Sequence, residues 1–137
     1  MADADTFQVR REQIAALTAF RSVMEGRVAG TWAGGEQNPD GSRTMPYFDY
    51  SPEILAFMRA CGENGWIEVF DWGAWQPEAL RYHESPDRLG GASVEDIRKL
   101  LTLHIRKDRF SEGHFAAMVE SGHIAAILRR LAEISNG

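Results

Sequence analysis

SVEDIRKLLTLHIRKDRFSEGHFAAMVESGHIAAILRRLAEI, residues 93–134, is the stretch that decides the fold. Ser93 followed by Glu95 is typical of a helix start, because the hydroxyl caps free amides and the carboxylate favours the positive end of the helix dipole. Ser111 opens a second helix in the same way, and Gly122 ends it. Apolar residues recur at helical spacing throughout, at Val94, Ile97, Leu100, Leu101, Leu103, Ile105, Phe115, Met118, Val119, Ile124, Ile127, Leu128, Leu131 and Ile134. The stretch predicts three helices joined by tight turns, with their apolar faces packed together.

Two further helices are predicted upstream of this stretch. Residues 7–25 form one amphipathic helix, with an apolar stripe at Ile14, Leu17, Phe20 and Met24. The next helix begins at Ser51 and Pro52, since serine caps free amides and proline loses no hydrogen bond at the first helical position. The helix predicted from Pro52 onward directs Ile54, Leu55, Phe57, Met58 and Cys61 toward the interior.

A small β element is predicted between the helical parts. Residues 26–45 are rich in glycine and indicate a long loop or an irregular hairpin, to which Trp32 on one side and Phe48 on the other give an apolar face. Pro46 would restrict the second strand to an edge. Residues 66–70 alternate as a short strand does.

Residues 71–91 contain two prolines and several glycines, which predict a loop with one helical turn near residues 77–82. No repeat, low-complexity tract or shift in composition divides the chain. We therefore predict a mainly α fold over residues 1–137. It is a single compact domain of about five helices, with a small β element between the first and third helices.

Charge and cysteine content argue against several classes of protein. The 137 residues include 15 Lys and Arg and 20 Asp and Glu, giving a net charge of -5, whereas binding to nucleic acid or anionic membranes begins with an excess of basic residues. Cys61 is the only cysteine, so the chain cannot form an internal disulfide or a four-thiolate zinc site, which favours a reducing compartment.

Targeting and membrane-spanning segments are not predicted. Asp3 and Asp5 stand where a secretory signal needs apolar residues, and no run reaches the ~18 apolar residues of a membrane span. We expect a cytoplasmic protein with no membrane association, and nucleic-acid binding is disfavoured.

Two motifs lie in the second half of the chain. Arg-x-x-Arg-Phe-x-x-Gly occupies residues 106–113 and is followed by Glu-x-Gly-x-Ile at residues 120–124. Asp-Trp-x-x-Trp occupies residues 71–75. Together they resemble a family of small uncharacterised bacterial domains of unknown function, and the resemblance extends over residues 47–131. It implies a mostly helical single domain, and it implies no activity, cofactor, ligand or site residue.

The turn after residue 105 is a candidate anion site. Arg106 and Arg109 precede a predicted helix start at which Gly113 lets a ligand approach the backbone amides. The alternative is structural: Arg106 and Arg109 pair with carboxylates such as Asp108 and Glu112 in an internal ion network. Cap chemistry alone accounts for these residues, which favours the structural alternative.

A metal site is a second hypothesis for the same turn. His104 and Asp108 are four residues apart on one helical face, and a reversal of the chain after residue 110 would bring His114 close to them. However, His104 lies on the apolar stripe and the spacing matches no established metal motif. We therefore predict a hydrogen-bonded core histidine at this position and no metal.

The last two helices, joined at Gly122, have the order of a DNA-binding helix-turn-helix. The second helix of such a motif reads bases with polar residues at its N-terminal end, but here His123, Ile124 and Ala125 occupy those positions. The basic residue Arg129 comes too late in the helix. Base-specific recognition is therefore disfavoured.

The aromatic residues of the Asp-Trp-x-x-Trp motif are a candidate binding surface. Trp72 and Trp75 follow Asp71 in a segment predicted to be mostly loop, and tryptophan is favoured in contact surfaces because it combines a large area with a polar tip. The structural alternative is a small hydrophobic cluster that anchors the long loops to the helices. The second explanation is favoured, but this surface is the first choice for a partner.

Signs of catalysis are absent from the sequence. Cys61 lies on the inward face of its helix, which predicts a buried and unreactive thiol. No nucleophile elbow and no phosphate-binding loop occurs. We predict no catalytic residue and no cofactor.

The leading hypothesis for function is a non-enzymatic binding or protein-interaction module. The alternative is a small ligand-binding protein or enzyme that uses the turn at residues 106–114, and the third hypothesis is a nucleic-acid-associated regulator. The partner is an unknown protein or small molecule, and a homodimer through the last helix stays open. The candidate binding residues are Asp71, Trp72, Trp75, Arg106, Arg109, Glu112 and His114.

Overall fold

The computed structural model describes residues 9–136, so the first residues of the predicted N-terminal helix, including Phe7, and the acidic residues Asp3 and Asp5 lie outside the described part. Within it the fold is mainly helical, as predicted. The helices are α1 (Arg11–Thr18), α2 (Arg21–Glu25), α3 (Pro52–Glu63), α4 (Gln76–Glu84), α5 (Pro86–Leu89), α6 (Val94–Lys107), α7 (His114–Glu120) and α8 (His123–Asn136). The strands are β1 (Gly30–Ala33) and β2 (Tyr47–Tyr50). The predicted number of about five helices is wrong, because the described residues contain eight.

Helices α4 and α5 occupy much of the segment for which a loop with one helical turn is predicted. Pro77 lies in the first turn of α4, and Pro86 is the first residue of α5. Neither proline removes a helical hydrogen bond at these positions, since the first amides of a helix have no partner within it. Ser85 caps α5 by accepting a hydrogen bond from the amide of Arg88. The helical turn predicted near residues 77–82 therefore lies within α4, whereas the loop predicted around it is wrong at residues 76, 83–84 and 86–89.

The predicted N-terminal helix is divided into α1 and α2. The chain turns at Ala19 and Phe20, and the Phe20 ring packs edge-to-face on Phe57 of α3 with ring centroids 5.5 Å apart. The apolar stripe continues across this break, from Leu17 to Met24, and both residues are fully buried. Periodicity alone therefore does not reveal the turn.

Residues 66–70 form no strand, contrary to the sequence prediction. Side chains of α6 bind this segment instead: Thr102 Oγ1 accepts a hydrogen bond from the amide of Glu68 and donates to a backbone carbonyl, that of Trp66 or of Arg98. Because side chains satisfy these backbone groups, the segment packs against a helix without joining a sheet.

The strands β1 and β2 form the predicted hairpin, antiparallel and with Trp32 opposite Phe48. The hairpin lies against the turn between α6 and α7. Phe48 donates its amide to Oε2 of Glu112 at 2.9 Å, and a β-carbon at position 113 would come within 2.6 Å of Cζ2 of Trp32. Gly113, at φ 80°, thus provides both the left-handed backbone and the space that this contact requires.

The core is formed by the predicted helical stripes. Leu101 and Leu128 are fully buried, and Ile105 packs against the core from a half-buried position. Helices α1 and α2 lie against α8, and α7 joins α6 to α8. The predicted packing of the C-terminal three helices is confirmed. In the described part of the chain, no helix combines the length and the apolar character needed to cross a bilayer.

Tyr50 fixes the hairpin to the helices. Its hydroxyl donates to Oδ1 of Asp108 at 2.6 Å and accepts from the amide of Ala116 at 3.0 Å. Burial and the neighbouring Asp108 carboxylate raise the pKa of Tyr50, so the phenol keeps its proton and remains a donor at neutral pH.

We expect Tyr50→Phe to lower the free energy of unfolding by about 1–3 kcal/mol, because it removes one of the two donors to Asp108 and leaves the amide of Ala116 without its acceptor. Urea unfolding at pH 7 measures the change. Tyr47→Phe is the matched control, since Tyr47 is 48% exposed on the same strand. Equal losses in the two variants would show that the hydroxyl of Tyr50 contributes nothing to docking of the hairpin.

Candidate functional site

The four histidines of the chain lie together, although each comes from a different helix. His83 of α4 is 4.9 Å from His123 of α8, measured between ring centroids. His104 of α6 is 5.1 Å from His123 and 5.2 Å from His114 of α7. We call these four residues the histidine cluster.

The turn between α6 and α7 brings two members of the cluster into contact. Oδ1 of Asp108 accepts a hydrogen bond from the amide of Phe115 at 3.0 Å, which folds the start of α7 back onto the end of α6. Nδ1 of His104 then lies 3.0 Å from Nε2 of His114, and one of these nitrogens donates to the other. The predicted chain reversal and the predicted hydrogen-bonded core histidine are both confirmed.

Burial keeps the central imidazoles without charge. His104 is 3% exposed, and burial, reinforced by the other histidines and Lys107, lowers its pKa well below the ordinary value. Burial also lowers the pKa of His123 to about 3, with His83 and His114 adding to the effect. Burial, with a contribution from Lys107, lowers the pKa of His114. These three side chains are therefore neutral at pH 7 and able to accept a proton or a hydrogen bond.

Two nitrogens of the cluster have no hydrogen-bond partner among the described residues. They are Nε2 of His104 and Nε2 of His123, and both are buried. A buried polar atom without a partner costs about 1–3 kcal/mol, so this arrangement is unfavourable for a purely structural core. Unsatisfied polar groups of this kind concentrate at functional sites.

A cavity of about 480 Å³ opens beside the cluster, between α4, α6 and α7. His83, His104 and His114 line it together with Gln76, Pro77, Ala79, Leu80, Leu103, Lys107 and Met118. We call it the histidine cavity. Its volume and its mixture of apolar walls with a few convergent polar groups are typical of small-molecule sites.

The charged group of the histidine cavity is Lys107. Its ammonium donates to Oε1 of Gln76 at 2.9 Å, which uses one of its three protons. No carboxylate is among the residues that line the cavity. The cavity therefore combines donors and a positive charge with apolar walls.

The candidate residues of the turn at residues 106–114 contact two different parts of the structure. Glu112 binds the hairpin through the amide of Phe48, whereas His114 faces the histidine cavity. Arg106 is half-buried and Arg109 is exposed, and neither is paired with a carboxylate in the described part of the chain. The expected internal ion network of these arginines is therefore wrong, because Asp108 and Glu112 serve as acceptors for the hairpin and for α7.

The anion hypothesis at this turn also changes. Ser111 does not cap α7, because the helix begins at His114 with Gly113 in the left-handed conformation before it. The seven-residue helix and the exposed Ser111 present no built anion site. As for a metal, Asp108 is bonded to Tyr50 and Phe115, and no group of three His, Cys, Asp or Glu side chains between residues 9 and 136 is placed to hold one.

The Asp-Trp-x-x-Trp motif lies at the start of α4. Asp71 is exposed and accepts the amide of Ala74, so it shapes the turn before the helix. Trp75 is half-buried against Phe70. Trp72 is half-buried and packs on the ring of Phe110 with centroids 6.0 Å apart.

The N-terminal end of α8 faces inward. His123, Ile124 and Ala125 are 5%, 0% and 3% exposed, so none of them is presented as a DNA-reading helix presents its first turn. This burial supports the expectation that base-specific recognition is disfavoured.

Sequence reasoning missed two members of the cluster and the cavity. His83 stood in a segment predicted to be loop, and His123 was interpreted only as the first residue of a helix. The signal available was that the chain has four histidines, three of them within 20 residues of one another. The four histidines come together because α4 and α8 pack beside α6 and α7, and no local sequence pattern predicts that packing.

Acid should destabilise the fold through His123. Between pH 6.5, where the unfolded side chain titrates, and about pH 3, the unfolded chain binds a proton that the folded chain does not, so stability falls as pH falls. We expect His123 alone to account for about 2 kcal/mol of lost stability between pH 7 and pH 5. Urea unfolding at the two pH values measures this loss. In His123→Gln the loss of unfolding free energy between pH 7 and pH 5 should be smaller by that amount. The same loss in the variant and in the original chain would contradict a lowered pKa at His123.

Comparison with known proteins identifies a family. A family model described as "Family of unknown function (DUF6508)" matches residues 9–137. No curated protein and no solved structure matches the chain. The family match covers nearly the whole chain and agrees with the resemblance drawn from the two motifs. The chain therefore belongs to this family of unknown function.

Proposed function

We propose that the chain binds a small molecule in the histidine cavity and that this ligand combines an apolar body with a carboxylate. The observation that carries the proposal is the convergence of three imidazoles on one cavity, with Nε2 of the buried His104 lacking a partner. The sequence-based alternative was a small ligand-binding protein with its site at the turn of residues 106–114. The proposal keeps that class of protein and places the ligand in the histidine cavity. His114 is the candidate residue common to both sites.

The lining of the cavity supports this choice of ligand. Leu80, Leu103 and Met118 provide an apolar wall that favours burial of aliphatic or aromatic carbon. Lys107 keeps donors that Gln76 does not use, and a carboxylate would pair with them without opposition from any acidic lining residue. Neutral histidines add further donors at the same end without the cost of burying more charge.

A partner-binding surface is the second candidate function, favoured by one observation. The Phe110 ring is 80% exposed although it stacks on Trp72, and Arg109 beside it is exposed and unpaired in the described part of the chain. Aromatic and arginine side chains in one exposed patch are characteristic of protein-contact surfaces. Binding of a protein partner here is independent of the histidine cavity.

A cytoplasmic setting completes the proposal, and a bacterial source is inferred only from the family resemblance of the two motifs. The support is the charge balance of the chain and the single cysteine, Cys61, whose thiol is free and fully buried. A protein of this composition needs no oxidising compartment.

A series of straight-chain carboxylates tests the proposed ligand class. Butanoate, hexanoate and octanoate are titrated at constant ionic strength, and the corresponding alcohols are titrated in parallel. We expect affinity to rise with chain length, by about 0.8 kcal/mol for each buried methylene, and the carboxylates to bind more tightly than the alcohols. Calorimetry gives the dissociation constants.

Lys107→Gln is the diagnostic variant for this series. Removal of the ammonium should weaken octanoate binding about tenfold and leave octanol binding unchanged, since a charge-assisted hydrogen bond contributes about 1.5–3 kcal/mol. Lys99→Gln is the control, because it removes the same charge from the same helix at a position that does not line the cavity. Equal weakening in the two variants, or equal affinity for acids and alcohols, would contradict the proposal.

A further inference from the structure

A second cavity, of about 360 Å³, lies on the other side of the histidine cluster. Arg27, Arg129, Ser121 and His123 line it, and His83 lines both this cavity and the histidine cavity. We call it the arginine cavity. Its lining is more polar than that of the histidine cavity, and it contains two arginines.

Arg27 is held in place by its backbone and by its side chain. Among the described residues, Arg27 is the one non-glycine residue with a positive φ, of 57°. This conformation costs free energy for a residue with a β-carbon. Its Nε donates to the carbonyl of Glu120 at 2.7 Å, and its guanidinium lies over Gly122. Only Nε is used in this contact, so the terminal nitrogens of the fork remain able to donate.

Neither arginine of the cavity is neutralised in the described part of the chain. Arg27 and Arg129 form no ion pair there. Glu25 is the acidic residue of the lining, and its carboxylate lies 3.7 Å from the guanidinium of Arg21, which does not line the cavity. The cavity therefore has an excess of positive charge.

The first turn of α8 borders the same cavity through His123 and Ala125. Among the described residues no acceptor caps the amides of Ile124 and Ala125, and the amide of His123 has only a 3.4 Å contact with Oγ of Ser121. The imidazole of His123 also lines the cavity, is 5% exposed, and has no partner for Nε2. A buried imidazole nitrogen without a partner, beside free helix amides, is an arrangement that an anion completes when that nitrogen carries the ring proton.

We infer that the arginine cavity is a binding site for a phosphate group, held by Arg27 and Arg129 with the amides at the start of α8. Planar guanidinium groups match phosphate oxygens in pairs, and the positive end of a fourteen-residue helix favours the same charge. The inference goes beyond the proposed carboxylate ligand of the histidine cavity and does not depend on it.

Titration with inorganic phosphate, followed in amide proton–nitrogen spectra of the whole chain, tests the inference. We expect saturable shifts of the Ile124 and Ala125 resonances, because their protons would gain an acceptor. A parallel titration with glycerol 3-phosphate separates a site for the free ion from one for a phosphomonoester, and saturation by either probe supports the inference. Absence of saturable shifts at both amides with both probes would overturn it.

Arg129→Gln shows whether the arginines hold the ion. Arg129 is exposed, so the substitution leaves the core intact, and we expect it to weaken phosphate binding about tenfold or more through loss of a charge-assisted hydrogen bond. Arg43→Gln removes the same charge from an exposed position near the hairpin and should leave the affinity unchanged. Equal affinities in the two variants would overturn the inference.

Discussion

The carboxylate of Asp108 is the constraint on which the rest of the structure depends. It accepts the amide of Phe115 and the hydroxyl of Tyr50 through the same oxygen, so one residue both reverses the chain after α6 and anchors the hairpin. The reversal places His114 against His104. Asp108 was a candidate metal ligand from the sequence, but in the structure it is the hydrogen-bond acceptor that organises the turn. Its bond to Tyr50 holds the hairpin, and its bond to the amide of Phe115 positions the start of α7 beside the histidine cavity.

The histidine cluster follows from that division. Burial of His104 and His123 keeps both imidazoles neutral, and it leaves one nitrogen of each without a partner. Cavities lie on both sides of the cluster, one with Lys107 and apolar walls, the other with two arginines. A core built only for stability gains nothing from unsatisfied nitrogens, whereas a site for ligands uses them. The cluster is thus the feature that links the fold to the proposed ligand binding.

Sequence reasoning predicted the helical core and the reversal that joins His104 to His114, because both depend on local patterns of a few residues. It failed at Pro86, since a proline has the same appearance in a loop and in the first turn of a helix. It also failed to add His83 to the site. The position of that residue is set by packing between distant helices, which leaves no trace in spacing along the chain.

The histidine cluster depends on one hydrogen bond that His104 and His114 share as a neutral pair. Nitrogen-15 spectra of the imidazole side chains at pH 7 test it most directly, because they distinguish protonated from unprotonated ring nitrogens. We expect one protonated nitrogen on each ring, and a scalar coupling between Nδ1 of His104 and Nε2 of His114 through the shared proton. Protonation of both nitrogens on either ring, or absence of this coupling at a temperature where the resonances are sharp, would contradict it.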